Sequence, residues 1–210
     1  MPTPHDPIAL ADWRRSVAEL YANVREVSRH NPVQAWHEFR LSRDQLFKRH
    51  PSTPLSLQQR QSFTALSYYP YDPGWRLNGG IDLQVPQETF ELELPGDGLL
   101  RYTRVARICF TRDSREASLS LFWLEGYGGG LFLPFMDATN GKETFGGGRY
   151  LYDTIKGADL GIRDDQVVLD FNFAYNPSCA YDDRWVCPLP LEENRLPFPV
   201  RAGENLPSQI

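Results

Sequence analysis

No apolar run in this 210-residue sequence approaches the roughly 20 residues that a membrane-crossing helix needs, so no helical span is expected. The opening residues, MPTPHDP, hold neither a basic stretch nor an apolar one, so no signal peptide is expected either. Cysteine is scarce: Cys109, Cys179 and Cys187 are the full set. Three thiols in a chain without an export signal predict a reducing, cytoplasmic setting. Cys179 and Cys187 lie too far apart in sequence for the two to four intervening residues that zinc sites prefer, and all four histidines fall within the first 50 residues, so no metal ligand set is assigned. The thiol pair also lacks the C-x-x-C spacing of a redox motif. The plain reading is two buried thiols, or one buried and one lining a pocket.

There is no basic run. The net charge of −5 is split into +3 over residues 1–60 and −8 over residues 61–210. A mildly acidic body of this kind argues against nucleic acid as the main partner. Three nucleotide and hydrolase signatures are missing too: no G-x-x-x-x-G-K-[ST], no G-x-G-x-x-G between a strand and a helix, and no G-x-S-x-G.

What the sequence does contain falls into two parts with different periods. Asp6 caps a helix over residues 6–28 with Pro7 in its first turn, and Leu10, Trp13, Val17, Leu20, Tyr21, Val24 and Val27 recur at three- and four-residue steps. Asn31-Pro32 repeats that start signal for a second helix lined by Trp36, Phe39, Leu46 and Phe47, which must stop before His50-Pro51. Ser56 and Gln59 form a capping-box match for a short third helix near 57–63. From Tyr68 onward the period becomes two. Strands are expected at 90–94, 100–111, 117–125, 131–135, 149–152 and 167–175, with Pro95-Gly96-Asp97-Gly98 as a turn and Arg112–Glu116 as a hairpin connection. Short links between successive strands predict an antiparallel meander. The fold class expected is α+β, predominantly β: an antiparallel β-barrel-like body over residues 67–210, with an N-terminal helical segment over residues 1–66 packed on it as one unit.

Three segments carry residue types unlike ordinary scaffold. In residues 131–150 an apolar strand runs into a polar turn, and the run Gly146–Gly148 delivers Arg149 and Tyr150; Asp137, Thr139, Glu143, Thr144 and Arg149 bring both signs of charge and two hydroxyls close together. In residues 167–176, Asp170, Asn172 and Asn176 alternate with apolar side chains and would stand in a row about 7 Å apart on one strand face. Asp and Asn are poor strand formers, so their presence there asks for a reason: a polar pocket or bonds to adjacent loops. The third segment, residues 176–188, holds Cys179 and Cys187.

In these segments the sequence resembles the family known as domain of unknown function 1684. The resemblance is carried by PLSLQQRQSF with YYPYDPGWR, by LFLPFMDATNGKETFGGGRYL, and by DFNFAYNPSCAYDDRWVCPLPLEENRLPFPVRAGE. It implies one compact domain and a non-exported protein, and brings no reaction or site residue with it.

The functional expectation is a small-molecule enzyme or binder with a polar pocket at one end of the barrel. Asp170, Arg149 and Asp137 are its candidate catalytic residues: Arg149 to orient an anionic group bidentately, Asp170 as base or clamp. Asn172, Asn176, Tyr150, Thr139 and Cys179 are its candidate substrate contacts. These residue types serve an enzyme and a binder equally. A second reading is an interaction or oligomerisation module, for instance a homodimer, presenting Trp13, Tyr21, Trp36 and Phe39. A third places a flavin or haem in the barrel at a subunit interface, on fold analogy alone.

Overall fold

The structure is a computed structural model and describes residues 6–94 and 98–207. Three helices come first: α1 (Pro7–Val27), α2 (Pro32–Arg49) and α3 (Leu57–Ser62). Each begins where its cap was expected. Asp6 accepts the N–H of Ile8 at 2.9 Å, and Asn31 accepts that of Gln34 at 3.0 Å. Ser56 and Gln59 close a reciprocal capping box.

The strands follow: β1 (Arg76–Asp82), β2 (Thr89–Leu94), β3 (Gly98–Arg112), β4 (Arg115–Leu124), β5 (Gly130–Phe135), β6 (Arg149–Asp153), β7 (Ile162–Arg163) and β8 (Gln166–Asp170). They form one antiparallel sheet in the order β6-β5-β4-β3-β1-β8-β7, curled into a half-barrel. The meander β3 to β6 is as expected from the short links. Strand β3 has 15 residues and spans about 50 Å. Its far edge is shared: β2 pairs with its first six residues, and β1 with Arg107–Cys109. Two-residue turns with positive φ join β3 to β4 (Asp113, Ser114) and β7 to β8 (Asp164, Asp165), the backbone twist that tight hairpins require. The expected turn at Pro95-Gly96-Asp97 lies outside the described residues. Strand β1 had no sequence signal of its own, because Asn78, Gly79 and Gly80 are weak strand formers; pairing on both sides with β3 and β8 holds it.

One expected strand is shorter than its pattern. The alternation over 167–175 ends at Asp170, and Phe171–Phe173 form a 3₁₀ turn. The Asp170 carboxylate accepts the Asn172 N–H at 3.1 Å and so stops the strand. Phe171, Asn172 and Phe173 are consequently all buried, and the polar row expected on one strand face does not form.

The main core runs between the helices and the concave sheet. Tyr21, Trp36 and Phe39 are buried in it, and Phe39 meets Phe173 edge-on at 5.0 Å. Trp13 packs on Phe47. The four rings that a partner-presenting reading singled out are thus used within the chain. Helix α1 comes close enough to the turn after β6 that a Cβ on Gly157 would lie 2.7 Å from the backbone nitrogen of Ala18. Among the described residues no helix is long and apolar enough to cross a membrane.

Candidate functional site

The residues expected to converge fall into three hydrogen-bonded groups, of which the first and third both bond to Glu204. The first is built on Asp137 and Arg149. The Arg149 side chain has no exposure, and its amino groups donate to Asp137 Oδ2 at 2.8 Å and to the carbonyls of Val200 (2.7 Å), Ala202 and Glu204 (3.0 Å). Asp137 Oδ1 accepts the N–H and hydroxyl of Thr139 and the N–H of Val200. Thr139 in turn meets the Thr144 hydroxyl at 2.7 Å. This group fastens the C-terminal segment to β6. The expectation that Arg149 orients an anionic ligand is corrected here: both terminal nitrogens are committed to protein oxygens with no solvent access. Gly148 has positive φ at 86°, and a Cβ there would lie 2.7 Å from the Phe135 carbonyl, so the glycine run serves a close backbone approach.

The second group is Asp170 and Asn172. Asn172 clamps Asp72 from both sides of its peptide, accepting from its N–H and donating to its carbonyl, each at 2.9 Å. Asp170 Oδ1 accepts the Asn172 amide at 2.9 Å, while Oδ2 is buried without a hydrogen-bond partner, 3.7 Å from Arg76 Nε. Burial pushes the Asp170 carboxyl up to about 6, against the opposing pull of the Asn172 amide and N–H and the Arg76 charge.

The third group surrounds Asn176 and holds a cavity. Beside β6, the sheet's terminal strand, the Tyr175 segment adds a two-bond bridge to Tyr150 (2.9 and 3.1 Å). Between that segment and helices α1 and α2 lies a crevice of about 60 Å³, walled by Tyr21, Tyr150, Tyr175 and Tyr181 with Arg43, Asp153, Lys156, Ala158 and Ser178. Its polar frame is one carboxylate. Glu204 Oε1 accepts from Arg43 at 2.6 Å and Tyr68 at 2.8 Å, and Oε2 accepts from the Asn176 N–H at 2.7 Å and Tyr181 at 2.6 Å. The Arg43 and Glu204 side chains are almost wholly buried, so each charge is neutralised by the other. At the rim, half-exposed Lys156 pairs with buried Asp153 at 3.2 Å. The Tyr150 hydroxyl donates to the Pro188 carbonyl.

Two groups in this lining have unused capacity. The Tyr21 hydroxyl and Asn176 Oδ1 are both buried without a hydrogen-bond partner. Leaving such an atom unmade costs about 1–3 kcal/mol. A larger groove of about 580 Å³ lies along α1 and α2, but it is open, and none of its lining residues has a buried polar atom left without a partner. The 60 Å³ crevice is far below the roughly 300–1,000 Å³ of drug-sized pockets and does not take a flavin or haem.

Of the expected site residues, then, Asn176 and Tyr150 line this crevice, and Cys179 follows Ser178 at its edge. Sequence reasoning missed Arg43, Glu204, Tyr21, Asp153 and Lys156. Arg43 did leave a signal: it sits in the apolar stripe of α2 between Phe39 and Phe47, at four-residue steps, where a charged residue needs a buried partner. Glu204 left none, since the partners of its carboxylate come from three distant parts of the chain: Arg43, Tyr68 and the segment that holds Asn176 and Tyr181.

Comparison with known proteins bears on the family and the fold. Residues 61–205 match the family described as protein of unknown function (DUF1684). The chain belongs to the DUF1684 family. No curated protein matches it. Among solved structures it is similar to the solution NMR structure of an uncharacterised protein of Haloarcula marismortui, with 35% identity, a TM-score of 0.61, and coverage of 82% of this chain and 92% of that one. The DUF1684 match takes in the sheet, Asn176, both crevice-side cysteines and Glu204; Tyr21 and Arg43 come from the helices that precede it.

Proposed function

We propose that this protein binds a small, uncharged polar molecule in the tyrosine-walled crevice between the helices and β6. One observation carries the reading: two buried polar atoms without partners, Tyr21 Oη and Asn176 Oδ1, belong to residues that line the same crevice. The phenol offers a proton and the amide oxygen accepts one. Burial holds Tyr21 protonated, since it raises the phenol well above its ordinary range. A ligand of a few heavy atoms carrying both an acceptor and a donor, such as an alcohol, polyol or small amide, satisfies both. An anion is disfavoured because Arg43 is already neutralised by Glu204 and Lys156 by Asp153. Nothing in this lining demands a chemical step, so binding is the activity proposed, and the reducing interior of the cell is its proposed setting.

The test is a thermal-shift screen with glycerol, ethylene glycol, acetamide, urea and glycolate in the millimolar range. A ligand at 100 times its Kd adds about 2.7 kcal/mol, which is about 5–10 °C for a chain of this size. At least one neutral compound should shift the wild type and fail to shift Ala158→Leu, which fills the crevice. Tyr21→Phe should leave the unliganded protein as stable or more stable while weakening the response. No shift with any compound, or equal shifts in Ala158→Leu, overturns the reading in favour of a cavity that holds only water.

A further inference from the structure

The thiol pair at the crevice edge has a geometry that its sequence spacing did not announce. Cys179 and Cys187 are both free and half-buried. The 3₁₀ turn Ser178–Ala180 brings the Cys179 backbone N–H to 3.4 Å from Cys187 Sγ. The Pro188 carbonyl, one residue further on, is held by the Tyr150 hydroxyl, which keeps the Cys187 strand of the loop against β6. The Cys187 sulfur therefore sits on the Cys179 N–H, and the Cys179 thiol, the Ser178 N–H and the Lys156 charge also favour its ionised form. Tyr150, its neighbour on the crevice side, is kept neutral by burial.

We propose that Cys187 is a hydroperoxide-reactive thiolate and Cys179 its resolving thiol, so that residues 179–187 close into a reversible disulfide. The Cys187 sulfur attacks a peroxide oxygen. The O–O bond breaks, the leaving oxygen takes a proton from solvent and departs as water or an alcohol, and Cys187 becomes a sulfenic acid. The Cys179 sulfur then attacks Cys187, the S–S bond forms, the S–O bond breaks, and the hydroxyl leaves as water with the proton from Cys179. Two electrons pass from the thiol pair to the peroxide. The surroundings divide the labour. Hydrogen bonding from the Cys179 thiol, ahead of the backbone N–H groups and Lys156, draws Cys187 down to about 6, and the same bond together with burial holds Cys179 protonated. Oxidation would rigidify the loop that supplies Pro177 and Ser178 to the crevice wall. The proposal is independent of whether a ligand binds there.

Exposed Cys109 serves as an internal reference. The whole protein, reduced and then freed of reductant, is treated with stoichiometric hydrogen peroxide, quenched with N-ethylmaleimide, digested with trypsin and read by mass spectrometry. Trypsin cuts at Arg184, between the two cysteines, so the disulfide appears as a linked pair of peptides. The expected result is that this linked pair forms, dithiothreitol reverses it, and Cys109 stays alkylatable. In Cys179→Ser, Cys187 should instead accumulate as a sulfenic acid trapped by dimedone. At pH 7, maleimide should label Cys187 severalfold faster than Cys109. Oxidation of Cys187 no faster than that of Cys109, or loss of both thiols without linked peptides, overturns the proposal. So does a Cys187→Ser variant whose Cys179 reacts as fast as Cys187 did.

Discussion

Replacing Asp170 by Asn should make the protein more stable at neutral pH and change little at acid pH. Asp170 is 2% exposed; one carboxylate oxygen is held by Asn172, and the other is buried without a hydrogen bond. Its carboxyl is raised from 3.8 to about 6 in the folded state. The native state therefore holds this proton more tightly than the unfolded chain does. The stabilisation is fully present below pH 3.8 and is lost as pH rises through about 6. At 1.36 kcal/mol per unit, the loss amounts to about 3 kcal/mol above pH 7. Asparagine keeps the oxygen that caps the Phe171–Phe173 turn and accepts from Asn172, and it presents an amide where the orphaned oxygen stood. Urea unfolding of wild type and Asp170→Asn from pH 4 to pH 8 measures the effect. The two curves should lie close together at pH 4 and separate by about 3 kcal/mol, variant above wild type, at pH 8. A constant offset across that range, or a variant less stable at pH 8, would show that the carboxylate has a partner the geometry does not account for.

Two further substitutions probe the frame around the crevice. Glu204→Gln leaves the Arg43 guanidinium buried without a counter-charge and should cost about 3–5 kcal/mol in denaturant unfolding; a loss under 1 kcal/mol would mean that the arginine finds another partner (about a rim pair's worth). Gly157→Ala forces a side chain into a left-handed position (φ 88°) and against the backbone of α1, and should lower stability by about 2–4 kcal/mol. An unchanged unfolding midpoint there would refute the close helix–turn approach.

The elements of this protein were legible in its sequence wherever their cause is local. Asp6-Pro7, Asn31-Pro32 and the Ser56–Gln59 box start helices through bonds spanning two or three residues, and these starts are where the structure has them. The alternation of Phe90, Leu92 and Leu94 with Glu91 and Glu93, and the paired apolar runs of β3 and β4, needed only the strand's own period. The unusual polar residues were also visible as residue types. What they do was not. Asp170 and Asn172 read as a row on a strand face, yet the carboxylate reaches back to the chain two residues on and ends the strand. Arg149 read as a ligand clamp, yet its partners are the Asp137 carboxylate and three carbonyls more than 50 residues downstream. The crevice itself is assembled from α1, α2, β6 and the 175–181 segment, with Glu204 joining α2 to that segment. A side chain's chemistry is carried in the sequence, but whether its hydrogen-bonding capacity is consumed or left over depends on which distant backbone the fold brings beside it. Only the tertiary structure makes that choice, because the competing partners differ in position and not in kind.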